Sequence, residues 1–197
     1  DPMKRPNWGS FSIHQGWLDE REICELVRQQ VKSAKQQLGE NNLNGIIFPE
    51  YALTEELFSK VCSIARAIEP RLEFAITGSS SNCEGEHGNF VLTALWYDAG
   101  SGEQGENDFL LTSRRKHHRW RLEKNQIASY QLQPVLEDSA SWWEEHQIAQ
   151  REVHFFQFRK SSVFTTMICE DLARSDPCHD IVRAVGPNLL FALLMDG

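Results

Sequence analysis

Three side chains that could share one reaction each come shortly after an apolar, strand-like segment: Glu50, Lys116 and Cys169. A thiolate is a strong nucleophile, a carboxylate can accept the thiol proton, and a nearby cation can stabilise negative charge. The residues are separated by 66 and 53 positions, so only the fold can bring them together. If their strands end at the same edge of one sheet, we expect the side chains to converge. The sequence therefore predicts a cysteine-dependent active site.

Each of these residues also has a simpler interpretation. Free cysteine is often a small buried hydrophobic residue, and Glu50 or Lys116 could be a solvated charge in a turn. Cys169 lies where a strand passes into a turn, not on the apolar stripe of a helix, and Pro49 fixes the backbone just before Glu50. For Lys116 the local sequence favours the simpler interpretation. The hypothesis of an active site therefore depends on all three residues following strand-like segments.

Composition limits the class of protein. The 197 residues are 41% hydrophobic, which is enough apolar material for the core of one domain. A formal net charge of -8 argues against general binding to nucleic acid or to anionic membranes. The apolar run 189–195 is far shorter than the roughly 20 residues that a membrane helix needs. We therefore expect a soluble protein.

The cysteines and the chain ends add two expectations. Five cysteines, scattered and without a CxxC pair, are typical of a reducing compartment, so we expect a cytoplasmic protein without disulfides. The sequence opens on Asp1 and Pro2 and closes on 195–197 directly after a strand-like run. We therefore expect the chain to be a piece of a longer protein.

Periodicity and turn residues predict strands interspersed with helices. We expect residues 1–17 to be an N-terminal segment or linker and residues 18–197 to form one domain. Helices are predicted at 19–38, from Thr54 to Ile68, and at 179–185. Strands are predicted at 44–48, 72–77, 89–97, 109–113, 152–158, 163–168 and 188–194. This order predicts a mixed α/β layered domain.

Three regions are predicted to connect these elements. Residues 78–81 should form a turn that ends the strand before them, because they are glycine and serine. Residues 98–108 should form the long polar loop of a hairpin. Residues 114–150 lack a clear period, and we expect an excursion over the site, with Trp142 and Trp143 at a lid, at an interface or in the core.

The ordered set of Phe48-Pro49-Glu50, Lys116 after a strand, and Ile168-Cys169-Glu170-Asp171 resembles the nitrilase superfamily of carbon–nitrogen hydrolases. In that family Glu, Lys and Cys occur in the same order, and the Cys-Glu-Asp-Leu motif is closest to those of the amidase-like and glutaminase-like branches. The resemblance covers Leu18 to about Leu194. It implies an α/β fold, a nitrilase-like α-β-β-α sandwich, incomplete here at its C-terminal end.

The resemblance implies a role for each residue. Cys169 would attack a carbonyl or nitrile carbon, and Glu50 would act as general base for the thiol and later for water. Lys116, with the backbone N–H of Glu170 as a second donor, would stabilise the oxyanion of a reaction that passes through a thioester. Glu123 is the candidate for a second glutamate that the family has after its lysine, and its simpler interpretation is a surface charge. The resemblance further implies a small-molecule amide or nitrile substrate, a homo-oligomer, and no cofactor or metal.

Two alternative functions remain open. The chain could be a nitrilase-like module for assembly or ligand recognition, fused to another domain as in bacterial antiviral reverse transcriptases. The basic segment 114–121 could bind nucleic acid by charge and stacking, although the acidic remainder opposes this. A zinc site is disfavoured because Cys169, Cys178 and His179 show no recurring ligand spacing.

Overall fold

Two long helices lie on one face of a four-stranded sheet. The structure is a computed structural model, and it describes residues 7–97, 109–148, 150–176 and 178–195. Helix α1 spans Glu20–Leu38 and α2 spans Glu55–Ile68, as predicted. The Asp19 carboxylate accepts the Glu22 N–H at the start of α1, and Thr54 caps α2 in the same way. Both caps satisfy backbone donors that a helix cannot pair internally.

The strands form three sheets among the described residues. The four-stranded sheet has the order β2-β3-β4-β5, a second sheet has the order β10-β9-β8, and a small third sheet has the order β1-β7-β6. The bounds of the strands are Trp8–Phe11, Gly45–Ile47, Phe74–Ser81, His87–Leu95, Leu110–Arg115, Arg121–Leu122, Ser141–Glu144, Phe155–Arg159, Ser162–Ile168 and Leu189–Leu193 for β1 to β10. Three short helices are Lys124–Ser129, Glu170–Ala173 and Cys178–Val185, named α3 to α5.

Alternating residues of β3 and β4 pack in two different hydrophobic cores, one on each face of the sheet. Ala75 and Leu92 face α1 and α2, whereas Ile76 and Val91 face the sheet of β8, β9 and β10. Phe164 of β9 lies at the centre of the second core, where it packs against four other phenylalanine rings. The period-two alternation of a strand explains this division, because neighbouring side chains point to opposite faces. A helical layer, a sheet and a second sheet therefore stack in that order, and the mixed α/β prediction is confirmed.

The turn predicted at 78–81 was wrong, because β3 continues through Ser81. Gly78 and Ser79 pair with Val91 and Phe90 of the antiparallel neighbour β4. The polar end of the strand is satisfied in part by Gln15, whose side-chain oxygen accepts the Ser80 N–H at 3.3 Å. Strand pairing therefore prevails over the local turn preference of these residues.

Two regions without a clear prediction contribute the third sheet. Trp8–Phe11, within the predicted N-terminal segment, forms β1 and pairs in parallel with β7. The excursion 114–150 supplies β6, α3 and β7. The hairpin of β4 and β5 is antiparallel as predicted, while its loop at 98–108 lies outside the described residues. Across the described part of the chain, each helix is too short or too polar to cross a membrane.

Candidate active site

Lys116 lies at the centre of a buried charged cluster. It follows β5, and its Nζ donates hydrogen bonds to Oε1 of Glu50 at 3.0 Å and to Oε2 of Glu144 at 2.9 Å. The side chains of these residues are 1%, 2% and 2% exposed, respectively. An ion pair that is removed from water in this way must have nearly all of its hydrogen-bonding groups satisfied, which fixes its geometry.

Neutral donors hold the two carboxylates in place. The Asn89 side-chain amide donates to Oε1 of Glu50 at 2.7 Å and to Oε1 of Glu144 at 2.6 Å. The Tyr51 hydroxyl also donates to Oε1 of Glu144, at 2.7 Å. The Lys116 N–H in turn donates to the Asn89 carbonyl at 2.8 Å. Asn89 therefore positions both glutamates and the backbone of the lysine at once.

Glu50 is held at the end of β2 by close packing against β3. The Gly78 N–H donates to the Pro49 carbonyl at 3.0 Å, and the Leu53 N–H donates to the Gly78 carbonyl at 3.2 Å. A Cβ atom on Gly78 would overlap the Cα atom of Glu50. Tyr51 adopts a φ of 54°, a conformation that costs energy in a non-glycine residue. The backbone that carries Glu50 is therefore tightly constrained on both sides.

We predict that Gly78→Ala will lower the free energy of unfolding by about 1–3 kcal/mol, the usual cost of overpacking, and will displace Glu50. Urea denaturation and the rate of turnover measure the two effects. Gly16→Ala is the matched control, because a Cβ at Gly16 has no heavy atom within 4 Å. Equal stability of the two variants would contradict the close contact between Gly78 and Glu50.

Cys169 lies at a strained junction between β9 and α4. Its φ is 38° and its ψ is −101°, a combination that costs about 1–3 kcal/mol and is typical of functional sites. The Cys169 N–H donates to the Leu193 carbonyl at 2.9 Å, and the Leu172 N–H donates to the Cys169 carbonyl at 3.0 Å. Glu170 opens α4 immediately after the thiol. These hydrogen bonds hold the thiol at the exit of the strand.

The surroundings of the Cys169 thiol favour its neutral form. Burial, followed by the charge of Glu50, raises the pKa of the thiol to about 11, and the charge of Lys116 opposes the shift. The side chain of Glu50 as a hydrogen-bond acceptor and the charge of Glu170 make smaller contributions to the same rise. At pH 7 nearly all of the thiol is therefore protonated. Attack by the sulfur therefore requires a base that removes the proton during the reaction.

Lys116 and Glu144 remain charged despite their burial. Burial by itself lowers the pKa of Lys116, but the charges of Glu144 and Glu50 and their hydrogen bonds hold this pKa above its ordinary value. Burial by itself raises the pKa of Glu144, but the charge of Lys116 and hydrogen bonds from Trp120, Lys116 and Asn89 hold this pKa below its ordinary value. The cluster thus keeps an ammonium group beside the thiol at neutral pH.

Asp171 ties the segment after Lys116 to the helix after Cys169. Its Oδ1 accepts the backbone N–H groups of His117 at 2.9 Å and of His118 at 3.0 Å. Its Oδ2 accepts a hydrogen bond from Arg114 at 3.2 Å, and that side chain is 1% exposed. Because Asp171 lies two residues after the thiol, it links the positions of the ammonium group and the sulfur.

We predict that Asp171→Asn will lower the free energy of unfolding by about 1.5–3 kcal/mol, because Arg114 loses a charged hydrogen-bond partner in the interior. Chemical denaturation measures the change. Asp176→Asn is the control, since Asp176 also binds an arginine, Arg151, at 3.3 Å but is 83% exposed, and such surface pairs contribute little. A comparable loss in both variants would rule out burial as the source of the effect.

The structure brings three of the predicted residues together and leaves one apart. Glu50, Lys116 and Cys169 converge, and Glu170 follows the thiol directly. Glu123 does not join them: it caps α3, its side chain is 59% exposed, and it pairs with Arg121. Glu144, which the sequence analysis missed, is the second glutamate that binds the Lys116 ammonium, at 2.9 Å.

A sequence signal for Glu144 exists. Trp142 and Trp143 precede it in β7, so a carboxylate ends an aromatic, strand-like run. Glu50 shows the same pattern, since it also follows an apolar, strand-like segment. Trp143 is 38% exposed with the Arg121 guanidinium over its ring, and the Trp142 indole donates to the Glu137 carbonyl at 2.9 Å.

The basic segment 114–121 does not form a continuous charged surface. Arg114 and Lys116 are buried in ion pairs, Arg115 pairs with Glu86, and the Arg119 guanidinium donates to the carbonyl of residue 146. Arg121 is 48% exposed and pairs with Glu123. Because two of the cations are withdrawn from the surface and the others already have partners, the geometry does not favour nucleic-acid binding here. No group of three or more potential metal ligands occurs in the part of the chain that the structure describes.

Cys169, Glu50 and Lys116 form one connected site, with Glu144 and Asn89 behind it. A nucleophile, a base and a cation for an oxyanion are the groups that acyl transfer to a cysteine requires. No known family model and no curated protein matches the chain.

Proposed function

We propose that the protein hydrolyses a non-peptide carbon–nitrogen bond, in an amide or nitrile, through a thioester on Cys169. The observation that carries the proposal is the pairing of Glu50 with the Lys116 ammonium at 3.0 Å next to the segment that holds Cys169. The Cys169 and Glu50 N–H groups donate to the consecutive carbonyls of Leu193 and Leu194, so the nucleophile, the base and the cation lie in one region. Few purely structural arrangements need a buried cation, a base and a strained cysteine together.

In the first half of the reaction with an amide, Glu50 takes the thiol proton as the sulfur of Cys169 attacks the carbonyl carbon. The Lys116 ammonium and the Glu170 N–H stabilise the negative oxygen of the tetrahedral intermediate. The intermediate collapses when its carbon–nitrogen bond breaks, and the nitrogen leaves as ammonia or an amine with the proton from Glu50. In the second half, Glu50 removes a proton from water, which attacks the thioester. The carbon–sulfur bond then breaks, the carboxylic acid leaves, and Glu50 returns the proton to the sulfur of Cys169.

Glu144 has a positioning role in this proposal. It accepts the second hydrogen bond of Lys116 and is fixed by Asn89, Tyr51 and the Trp120 N–H, which donates at 2.8 Å. These contacts direct the ammonium group while Glu50 remains available for proton transfer. Glu123 has no role, since it lies on the surface.

We further propose that the helix, sheet and second-sheet layers belong to a nitrilase-like α-β-β-α sandwich. A cytoplasmic location agrees with five free cysteines. Apolar side chains exposed on α5 and β10, among them Val185 at 53% and Leu189 at 42%, support a homo-oligomeric interface. Sedimentation equilibrium should give the mass of two or more chains, and a monomer at micromolar concentration would contradict this assembly.

The reaction is tested by intact-mass spectrometry of the protein during incubation with amides from acetamide to hexanamide and with benzamide. We expect a mass increase equal to the acyl group, release of ammonia, and loss of both in Cys169→Ala. Hydroxylamine should intercept the thioester and yield the hydroxamic acid. If wild-type protein gives neither adduct nor ammonia with any amide, a non-catalytic module becomes the favoured function.

A further inference from the structure

We infer that the cavity beside Glu50 binds an uncharged, apolar acyl group, so that the substrates are amides of apolar acids. The inference rests on the proposed function and specifies its substrate class. An apolar acyl group is one of several kinds of acyl group that a Glu-Lys-Cys site could accept. Amides that carry a carboxylate on the acyl chain, such as glutamine, are expected to be poor substrates.

The cavity has a volume of about 840 Å³ and begins at the candidate site. Pro49 and Glu50 form one of its walls. Apolar side chains form most of the remainder, among them Trp17, Trp120, Leu122, Tyr130, Leu132 and Leu136. A cavity of this size, mostly apolar and with few polar groups, is typical of a small-molecule site.

The last described residues connect the cavity to the thiol. The Leu193 carbonyl accepts the Cys169 N–H at 2.9 Å, and the next carbonyl, of Leu194, accepts the Glu50 N–H at 3.4 Å. Leu194 and Met195 then continue along the cavity wall. The chain therefore passes from the nucleophile, past the base, into the apolar lining. In the proposal, the acyl chain on the sulfur lies alongside this segment.

The charges around the cavity select against an anionic substrate. Among the described residues, the acidic and basic side chains of the lining are Glu50 and His14, and neither lysine nor arginine contributes to it. A substrate carboxylate there would lose its water without gaining a lysine or arginine partner, which is unfavourable, and Glu50 would repel it. An alkyl or aromatic group loses nothing comparable and gains from burial.

A second cavity of about 970 Å³ shows where cations are available instead. Arg115 and Arg119 line it, together with His87. It borders Glu144 and Tyr51, whereas the apolar cavity borders Glu50. An acyl carboxylate would find arginine partners in this second cavity, which contacts the glutamate that binds Lys116 and not the base.

Exposed apolar side chains surround the mouth of the apolar cavity. Val135 is 74% exposed, Trp17 is 63% exposed and Met195 is 40% exposed, and all three belong to the lining. Apolar surface that is clustered at the opening of a pocket is a common mark of a ligand site. The acyl group would cover part of this surface.

The matched substrates are hexanamide and 6-amino-6-oxohexanoate, in which a carboxylate replaces the terminal methyl group of hexanamide. We expect kcat/KM to rise by up to about fourfold for each methylene from acetamide to hexanamide. We expect the anionic amide to react at least about a hundredfold more slowly than hexanamide. Equal or faster reaction of the anionic amide would overturn the inference.

Val135→Arg tests the position of the acyl group. Because Val135 is so exposed, the variant should fold, and its guanidinium should lower kcat/KM for hexanamide while raising it for the anionic amide. We expect the preference between the two amides to narrow by at least about tenfold. Leu26→Arg is the control: Leu26 is 51% exposed on α1, outside the cavity lining, and its variant should keep the wild-type preference. An unchanged preference in Val135→Arg would overturn the inference.

Calorimetric titration of Cys169→Ala with both amides separates this inference from the proposed reaction. Binding of hexanamide but not of the anionic amide, without turnover by wild-type protein, supports the apolar cavity and overturns the reaction. Turnover with preference for the anionic amide supports the reaction and overturns the inference. Absence of both binding and turnover overturns both.

Discussion

Glu50→Gln should lower kcat by about a hundredfold to ten-thousandfold, the usual contribution of a general base, and yet make Cys169 more reactive toward iodoacetamide. The two effects have opposite signs because Glu50 acts on the thiol in two ways. It takes the proton during turnover, but in the resting protein its charge and hydrogen bond help to raise the pKa of the thiol to about 11. Without Glu50, the opposing charge of Lys116 remains, so the pKa of the thiol should fall and more thiolate should be present at pH 8.

The measurement is the rate of alkylation of the Cys169 peptide between pH 7 and pH 11, followed by mass spectrometry. The midpoint of the profile should lie near 11 in wild-type protein and lower in Glu50→Gln. Cys83, which is exposed in the same molecule, serves as an internal control for reagent and pH. An unchanged midpoint, or slower alkylation in the variant, would falsify the assignment of Glu50 as the neighbour that sets the state of the thiol.

This dual action of Glu50 distinguishes the site from an ion-pair cysteine site. In the latter, a neighbouring cation lowers the thiol pKa and the thiolate exists before substrate binds. Here burial of the thiol, followed by the charge of Glu50, raises the pKa of Cys169 and outweighs the opposing charge of Lys116, so the proton stays on sulfur. We therefore expect proton transfer and carbon–sulfur bond formation to be coupled in one step.

Local patterns were sufficient to predict the elements that carry the three central residues. Glu50, Lys116 and Cys169 each follow a strand, and strand ends are recognisable from apolar runs that stop at turn residues. Helix α1 was equally predictable, because Asp19 and Gly39 mark its two ends. Such signals depend on a few neighbouring residues and need no knowledge of tertiary contacts.

The partners behind the site could not be predicted in this way. Asn89 lies within β4, where a polar residue gives no hint that its amide bridges two glutamates. Glu123 is nearer to Lys116 in sequence than Glu144 is, but the return of β7 to β6 brings Glu144, not Glu123, to the ammonium group. Distance along a chain with no clear period carries no information on such contacts.

Lys116→Met should lower the free energy of unfolding by about 3–5 kcal/mol, because it leaves Glu50 and Glu144 buried without their cation. The matched control is Lys60→Met. The Lys60 Nζ also binds two glutamates, Glu20 at 2.7 Å and Glu56 at 2.8 Å, but its side chain is 40% exposed. Water can replace those contacts, so we expect little change in that variant. Urea denaturation of both variants at pH 7 measures the contrast.

The loss of stability in Lys116→Met should also depend on pH. In wild-type protein the pKa of Glu144 is lowered, so its contribution to stability is present at neutral pH and is lost as the pH falls through that pKa. Without Lys116, burial should raise the pKa of Glu144, and protonation should then stabilise the folded variant. The difference in stability between wild-type protein and Lys116→Met should therefore narrow from pH 8 to pH 5. In the double variant, Glu144→Gln should restore part of the stability that Lys116→Met loses. A constant difference across this range would show that Lys116 contributes packing and not charge.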